Sequence, residues 1–392
     1  MASSLEGRVA GELRALDQQH LRRALRAPSG IDLSSNDYLG LADHPLVTQR
    51  MIEAIEQHGC GSTGSRLLRG QRDAFASIER TFAAFMNAER ALYFSSGYLA
   101  NLAVLTTFPG TGDLIVSDRA NHASLRDGAR LSTAKRVMFA HNDAGALSRI
   151  LRAQSGRGEV FVVTESLFSM DGDIPPLEDY AEICRTSGAR LIVDEAHAVG
   201  IFGARGSGLV EERGIGRDVF LTISTAGKAL GVAGAFVSGP EWAIEYLIQR
   251  ARPFVFSTAP PPSLAAAIEA SLTIVATEPE RRADLRAKAA RLRVRLAAAG
   301  MTVAAGDSPI VPIMLGSAER AQAVAEALQV DGFDVRAIRP PTVPTGTARL
   351  RISVNVRLSD DMIDRFVSAL AVALLVCPSR ITTGRSVVAA GK

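Results

Sequence analysis

Between residues 90 and 240 the chain alternates short apolar runs with segments of helical spacing. The runs read ALYFSS, LIVSD, RVMFA, VFVVTES, RLIVDE, VFLTIS and GAFVSG. Strands that arrive singly between helices pair in parallel, because each crossover needs a dozen or more residues. Strands that are apolar nearly throughout are covered on both faces. The pattern predicts an α/β chain built on a mostly parallel sheet with helices on either side. Of 392 residues, 47% are hydrophobic and 22% charged, which is enough apolar material for a large core.

The flanks read differently. Residues 6–26 have the spacing of an Arg-rich amphipathic helix, followed by a small strand (IDLSS) and the turn NDYLG. A helix over 44–58, a loop GCGSTGSRLLRG and a helix over 71–87 lead into the alternating region. After it comes a long Ala/Arg-rich helical stretch, about 263–299, then IVPIML, a helix over 319–329, DVRAI, LRISV and a last helix capped by Ser359. This predicts a smaller α+β domain. The expected division is an N-terminal helix and strand (1–40), a large domain (41–285), a small domain (286–380) and a frayed tail (381–392).

Charge excludes several classes. With 44 basic and 41 acidic residues the net charge is +3, too balanced to predict nucleic-acid or membrane binding. Cys60, Cys184 and Cys377 are far apart, with no metal-ligand or disulfide spacing, as expected in a reducing cytoplasm. The N-terminus carries acids and lacks an apolar core, so no signal peptide is expected. The longest apolar stretch, Phe366–Cys377, is too short to span a bilayer.

Two stretches carry the chemistry. LIVDEAHAVG delivers Asp194 and His197 at a strand end, and TISTAGKALG delivers Lys228 just past another. A carboxylate to hold a pyridine nitrogen protonated, an imidazole for a ring hydroxyl and an amine for an aldehyde are what pyridoxal 5'-phosphate (PLP) chemistry needs. Alone, Asp194 could be a helix cap and Lys228 a surface charge. Lys228, however, lies between Gly227, Ala229 and Gly231, and apolar surroundings lower a lysine pKa. DEAH also names a helicase box, but no GxxxxGK[ST] loop exists in the chain.

Other candidates surround these three. Ser95–Tyr98 joins a strand to a helix, where free backbone N–H groups suit a phosphate, and Thr225 could bind a phosphate oxygen. His122 could stack on a pyridine face, and Ser169 could hydrogen-bond a ring hydroxyl. Gly59–Gly64 matches GxGxxG with Glu79 about 20 residues on, but it follows a helix rather than a strand, so the dinucleotide reading fails. Arg351 suits a substrate carboxylate. Arg349 has the same parity, and pattern alone does not choose between them.

The ordered motifs NDYLGL, GSTGSRLLRG, FSSGYLAN, SDRANHASL, VVTESLFSMDGD, VDEAHAVG, STAGKALG and RPPTVPTGTARLRIS resemble the α-oxoamine synthases, over about residues 10–376. These are PLP enzymes of fold type I. The resemblance implies a large domain with a mostly parallel seven-stranded sheet and a smaller C-terminal α+β domain. It implies that Lys228 tethers PLP, Asp194 meets the pyridine nitrogen, His197 and Ser169 meet the ring hydroxyl, and His122 stacks. Gly97, Tyr98 and Thr225 match further cofactor contacts, and Thr258 matches a phosphate ligand lent by the second subunit of a homodimer. Asn36 and Arg351 match groups near the amino-acid carboxylate, and Thr342 matches a substrate contact. Arg22 matches an N-terminal arginine that meets the acyl substrate, with Arg23 and Arg26 as alternatives. RPPTVP at 339–344 favours the member that condenses L-alanine with a pimeloyl thioester, on CoA or on an acyl-carrier protein, in biotin biosynthesis. A glycine- or serine-using member and a non-catalytic PLP-binding homologue stay open. One departure is Ala198, where the family usually has glycine.

Overall fold

The computed structural model describes residues 4–377 except 155 and 157. The expected tail at 381–392 lies outside them. The strands in chain order are β1 (Ile31–Asp32), β2 (Arg90–Phe94), β3 (Leu114–Asp118), β4 (Lys135–Phe139), β5 (Val160–Glu165), β6 (Arg190–Asp194), β7 (Val219–Thr225), β8 (Ala235–Gly239), β9 (Ile310–Gly316), β10 (Phe333–Asp334), β11 (Ala337–Ile338) and β12 (Ala348–Ser353).

Seven of them form one sheet in the order β2-β8-β7-β6-β5-β3-β4. β8 runs antiparallel to both neighbours and the other pairings are parallel. β3 is buried along its length, as its unbroken apolar character requires. β4 is the edge, and its Lys135 and Arg136 face solvent there. Alternate residues feed separate cores on the two faces. Val116, Val162 and Val193 belong to one, while Ile115, Phe161, Val163 and Ile192 belong to the other. Each fully buried side chain of this kind contributes about 1.5–3 kcal/mol.

The parallel strands end together. Glu165 and Asp194 are register partners at the carboxyl ends of β5 and β6, and Thr225 closes β7. In open α/β sheets this edge is where ligands bind.

The C-terminal unit is a three-stranded antiparallel sheet, β11-β12-β9, with helices Ala318–Val330 and Asp360–Val376. β1 pairs in parallel with β10, so the start of the chain is stitched to this unit. The long expected helix is two, Ser263–Thr277 and Pro279–Ala298, because Pro279 opens the second at its first position. The expected helix over 6–26 spans only Leu5–Gln18. There His20 turns to positive φ, and Arg339 donates to its carbonyl and, at 3.4 Å, to that of Arg22. The arm is thereby drawn across the C-terminal unit.

One polar knot ties the loops after β3, β4 and β5. His141 bridges Asp118, at 3.0 Å, and Asp173, at 2.9 Å. Burial opposes its charge, but these two carboxylates prevail and raise its pKa to about 10. A histidine raised on folding stabilises fully below its unfolded pKa of about 6.5, and that contribution fades as pH rises toward 10. His141→Gln is therefore expected to lower the Tm more at pH 6 than at pH 10. Equal losses at both pH values would refute the charged bridge.

Candidate active site

Lys228 follows β7 and His197 follows β6, and their side chains meet, Nζ to Nε2, at 2.8 Å. The other ring nitrogen of His197 lies 2.8 Å from the Tyr38 hydroxyl. Tyr38 and Asn36 sit in the turn after β1. Arg351, from β12, donates to Asn36 Oδ1 and to the Tyr38 oxygen, each at 3.0 Å. One hydrogen-bonded chain thus runs from the lysine to the C-terminal unit.

This arrangement separates the two arginines of equal parity. Both are buried. Arg349 is engaged by the Asp171 carboxylate and the Met170 carbonyl. Arg351 meets no carboxylate among the described residues; its neighbours are neutral oxygens, including the Ser169 carbonyl and the Ser353 hydroxyl. A guanidinium so placed retains its attraction for a substrate carboxylate.

Burial sets the protonation states. It pushes the Lys228 amine down to about 8, against the pull of Asp194 and Glu165. It also holds His197 well below the usual histidine range, with Lys228 and Arg351 adding to the effect. The Glu165 carboxyl is pushed up to about 8, by burial first and by the neighbouring Asp194 second. Glu165 accepts the backbone N–H of His122 at 2.6 Å and that of Ser169. It therefore fixes the two loops on which His122 and Ser169 sit.

Asp194 is 5% exposed and makes no ion pair among the described residues. Its oxygens accept from Asn101 Nδ2 at 2.7 Å and from the Ala196 N–H at 2.9 Å. A buried carboxylate held only by neutral donors fits a cationic N–H such as a protonated pyridine. Gly97 opens the helix Gly97–Thr107 opposite Thr225, and a Cβ there would stand 3.8 Å from the Thr225 Cβ. A helix start facing a hydroxyl suits a phosphate. With the Lys228 amine, which meets a neutral imidazole nitrogen and no carboxylate among the described residues, this donor set fits PLP.

Other expected residues lie apart. Tyr98 is exposed, with its hydroxyl on Asp127. Thr258 is exposed, and its backbone bridges Ser65. Among the N-terminal arginines, Arg22 turns back onto Asp17 at 2.7 Å, whereas Arg23 reaches the Thr342 hydroxyl at 3.1 Å. Arg26 stands 3.8 Å from Glu326. Glu79 has a structural task, pairing with buried Arg66 at 2.9 Å and capping the Tyr93 N–H at 2.9 Å. Ala198 is fully buried in the core.

Sequence reasoning missed Tyr38, Asn101 and Glu165. Glu165 was legible by the rule that marked Asp194, a carboxylate at a buried strand's end. The other two had no such signal. Among the described residues no group of His, Cys, Asp or Glu side chains could hold a metal ion, and no helix is long and apolar enough to cross a membrane.

The fold and the placement of a half-buried lysine with a buried histidine and aspartate at the sheet's carboxyl edge define a transferase of fold type I. The family model for aminotransferase class I and II matches residues 28–370, and the chain belongs to that family. The 8-amino-7-oxononanoate synthase of Anaeromyxobacter dehalogenans is 45% identical over 380 residues, covering 93% of this chain and 95% of that one. Within the larger family the chain belongs with the 8-amino-7-oxononanoate synthases. A serine palmitoyltransferase from S. paucimobilis, solved with a bound PLP–myriocin aldimine, superposes with a TM-score of 0.89 at 29% identity, over 96% of this chain and 99% of the other. The 8-amino-7-oxononanoate synthase of Francisella tularensis superposes with a TM-score of 0.77 at 31% identity, over 89% and 98%.

An amine lowered to about 8 has an appreciable neutral fraction at physiological pH, whereas an ordinary lysine at about 10.4 has almost none. In PLP-free protein, the rate of covalent PLP capture, read by absorbance, is expected to rise with pH and level off above about 8. A rate still climbing beyond pH 10 would contradict the lowered amine.

Proposed function

We propose that this chain is a PLP-dependent acyltransferase that condenses L-alanine with a pimeloyl thioester, releasing CO₂ and the thiol to give 8-amino-7-oxononanoate in biotin biosynthesis. The observation that carries it is the hydrogen-bonded chain from Lys228 through His197 and Tyr38 to Arg351, an amine and a carboxylate receptor held together. The relatives named for this activity supply the choice of substrates.

Lys228 would tether PLP and Asp194 would hold its pyridine nitrogen. His197 and Ser169 would meet the ring hydroxyl, His122 the ring face, and Gly97, Tyr98 and Thr225 the remaining cofactor contacts. Bound there, PLP supplies an electron sink for the pair left at the amino acid's α carbon. Arg351 and Asn36 orient the alanine carboxylate. The Lys228 amine, whose neutral form is accessible because its pKa falls to about 8, takes the α proton. His122 would stabilise the charge on the thioester carbonyl oxygen as the α carbon bonds to the carbonyl carbon, before the C–S bond breaks and the thiol leaves. Thr342 and an N-terminal arginine meet the acyl chain. Arg22, Arg23 and Arg26 are the candidates, and the contact of Arg23 with Thr342 supports Arg23.

The large unit is assigned residues 41–285 and the small unit 286–380, with the enzyme working in the cytoplasm. A second copy completes the site by lending Thr258. Leu68 and Phe256, 81% and 71% exposed, flank the Ser65–Thr258 bridge and supply apolar contact for it. Leu68→Asp with Phe256→Asp is expected to give a monomer by sedimentation and to lose activity. A fully active monomer would exclude the shared site.

The deciding experiment presents the PLP-loaded protein with L-alanine, glycine and L-serine, each with pimeloyl, acetyl and palmitoyl thioesters on CoA and on acyl-carrier protein. Thiol release is expected with L-alanine and a pimeloyl thioester. Release only with glycine or serine would reassign the substrate. Lys228→Ala is expected to abolish both turnover and borohydride-fixable PLP, and turnover at the wild-type rate would sink the assignment.

A further inference from the structure

His122 is an exposed residue resting on buried ones. Its Nδ1 lies 2.7 Å from the Ser124 hydroxyl and accepts the Ser124 backbone N–H at 3.2 Å. Ser124 and Asn101 are 0% and 2% exposed. The Asn101 amide group donates twice, to Ser124 Oγ at 2.9 Å and to Asp194 Oδ2 at 2.7 Å.

Proton accounting then fixes the ring. An ionised carboxylate only accepts, so the side of Asn101 that faces Asp194 is its NH₂ group. The second N–H of that group takes one acceptor position of Ser124 Oγ, and the serine's own hydrogen is directed at His122 Nδ1 because that nitrogen already accepts from the Ser124 backbone. The backbone N–H of Ser124 is also a donor there. Nδ1 is thus an acceptor on two counts, and in a neutral imidazole the hydrogen then sits on Nε2. Although the residue as a whole is exposed, its ring is partly enclosed, and that desolvation lowers its pKa and favours the neutral form.

We propose that Asn101 and Ser124 are positioning residues that lock His122 in its Nε2–H tautomer, with the Asp194 carboxylate as the anchor of the relay. The ring then presents a hydrogen-bond donor and no base. It can stabilise a developing oxyanion, and it cannot compete with Lys228 for the α proton. The same relay couples the carboxylate assigned to the pyridine nitrogen to the residue assigned to the ring's face, so the two keep one spacing. This rests on the active-site reading above, but the tautomer itself can be read whatever the substrate.

The test is long-range ¹H–¹⁵N correlation on PLP-loaded protein labelled at histidine, with the His122 signals assigned by their loss in His122→Asn. The wild type is expected to show the Nε2–H form. Ser124→Ala and Asn101→Asp are expected to populate the Nδ1–H form. They should also lower kcat on the order of 10–100-fold, the range seen for outer partners of functional histidines in metal sites. In Ser124→Ala the KM for L-alanine and the affinity for PLP should stay unchanged, because Arg351, Asn36 and Asp194 are untouched. Ser124→Thr, which keeps the hydroxyl, should restore the Nε2–H form and most of kcat. An Nδ1–H wild-type ring overturns the proposal, as does an unaltered tautomer in both variants. If Asn101→Asp fails to fold, Ser124→Ala and the wild-type spectrum decide. Should the thioester panel fail while the wild-type ring reads Nε2–H, only the substrate assignment falls.

Discussion

Burial of charge at the carboxyl edge of one sheet is the constraint on which the rest of the site depends. Parallel strands covered on both faces end in a place that water reaches poorly, and β5, β6 and β7 end in or near Glu165, Asp194 and Lys228. Bringing a carboxylate there costs several kcal/mol unless a partner compensates. Asp194 is held by neutral donors, Glu165 stands beside it in register, and the Lys228 amine lies close to both. Two adjacent carboxylates cannot both ionise cheaply, and burial together with the neighbouring Asp194 raises Glu165. Glu165 grips two backbone N–H groups, Asp194 is held by neutral donors alone, and the amine has a neutral form within reach.

The C-terminal unit matters because it closes this edge with guanidinium groups. Arg351 joins Asn36, Tyr38 and the Ser169 carbonyl, and Arg349 joins Asp171 and Met170. Ser169 to Asp171 belong to the loop after β5, which Glu165 also holds. Adjacent residues of one loop are therefore fastened from both units. Gly172 makes the approach possible: it sits at φ 68°, and a Cβ there would come within 2.4 Å of the Ile310 carbonyl oxygen. The pairing of β1 with β10 and the arm crossing Arg339 bring the N-terminus into the same assembly.

Much of this was legible because strand ends are local. LIVSD, VFVVTES and RLIVDE each show a buried run followed by polar residues, so Asp194 and the neighbourhood of His122 could be read directly. Lys228 followed from small apolar neighbours. What could not be read depends on distant pairing. Arg349 and Arg351 share a face, and only the Asp171 carboxylate, 178 residues away along the chain, separates their tasks. Arg22 and Arg23 are adjacent, and the turn at His20 decides which reaches Thr342. Tyr38 lies in a turn, and its task depends on His197 and Arg351 meeting at its hydroxyl. Helix ends were misread for a related reason. Apolar spacing continues to residue 26, yet the helix ends at Gln18, His20 turns to positive φ, and Arg339 takes up the carbonyls of His20 and Arg22.

The two histidines show why proximity to a cofactor site does not define a task. His197 is enclosed and shares both ring nitrogens with protein groups, Lys228 on one side and Tyr38 on the other. Its freedom to take or give a proton is therefore tied to the lysine. His122 engages protein through Nδ1 and is exposed as a residue, so its remaining nitrogen is available to a ligand. Burial depresses both pKa values, but the partners differ: Lys228 and Arg351 act on His197, whereas Asp194 partly offsets the loss at His122. The enclosed ring is suited to orienting what lies in the site. The open ring is suited to answering charge that appears during a reaction, and its position depends on a carboxylate, an amide and a hydroxyl that the substrate never touches.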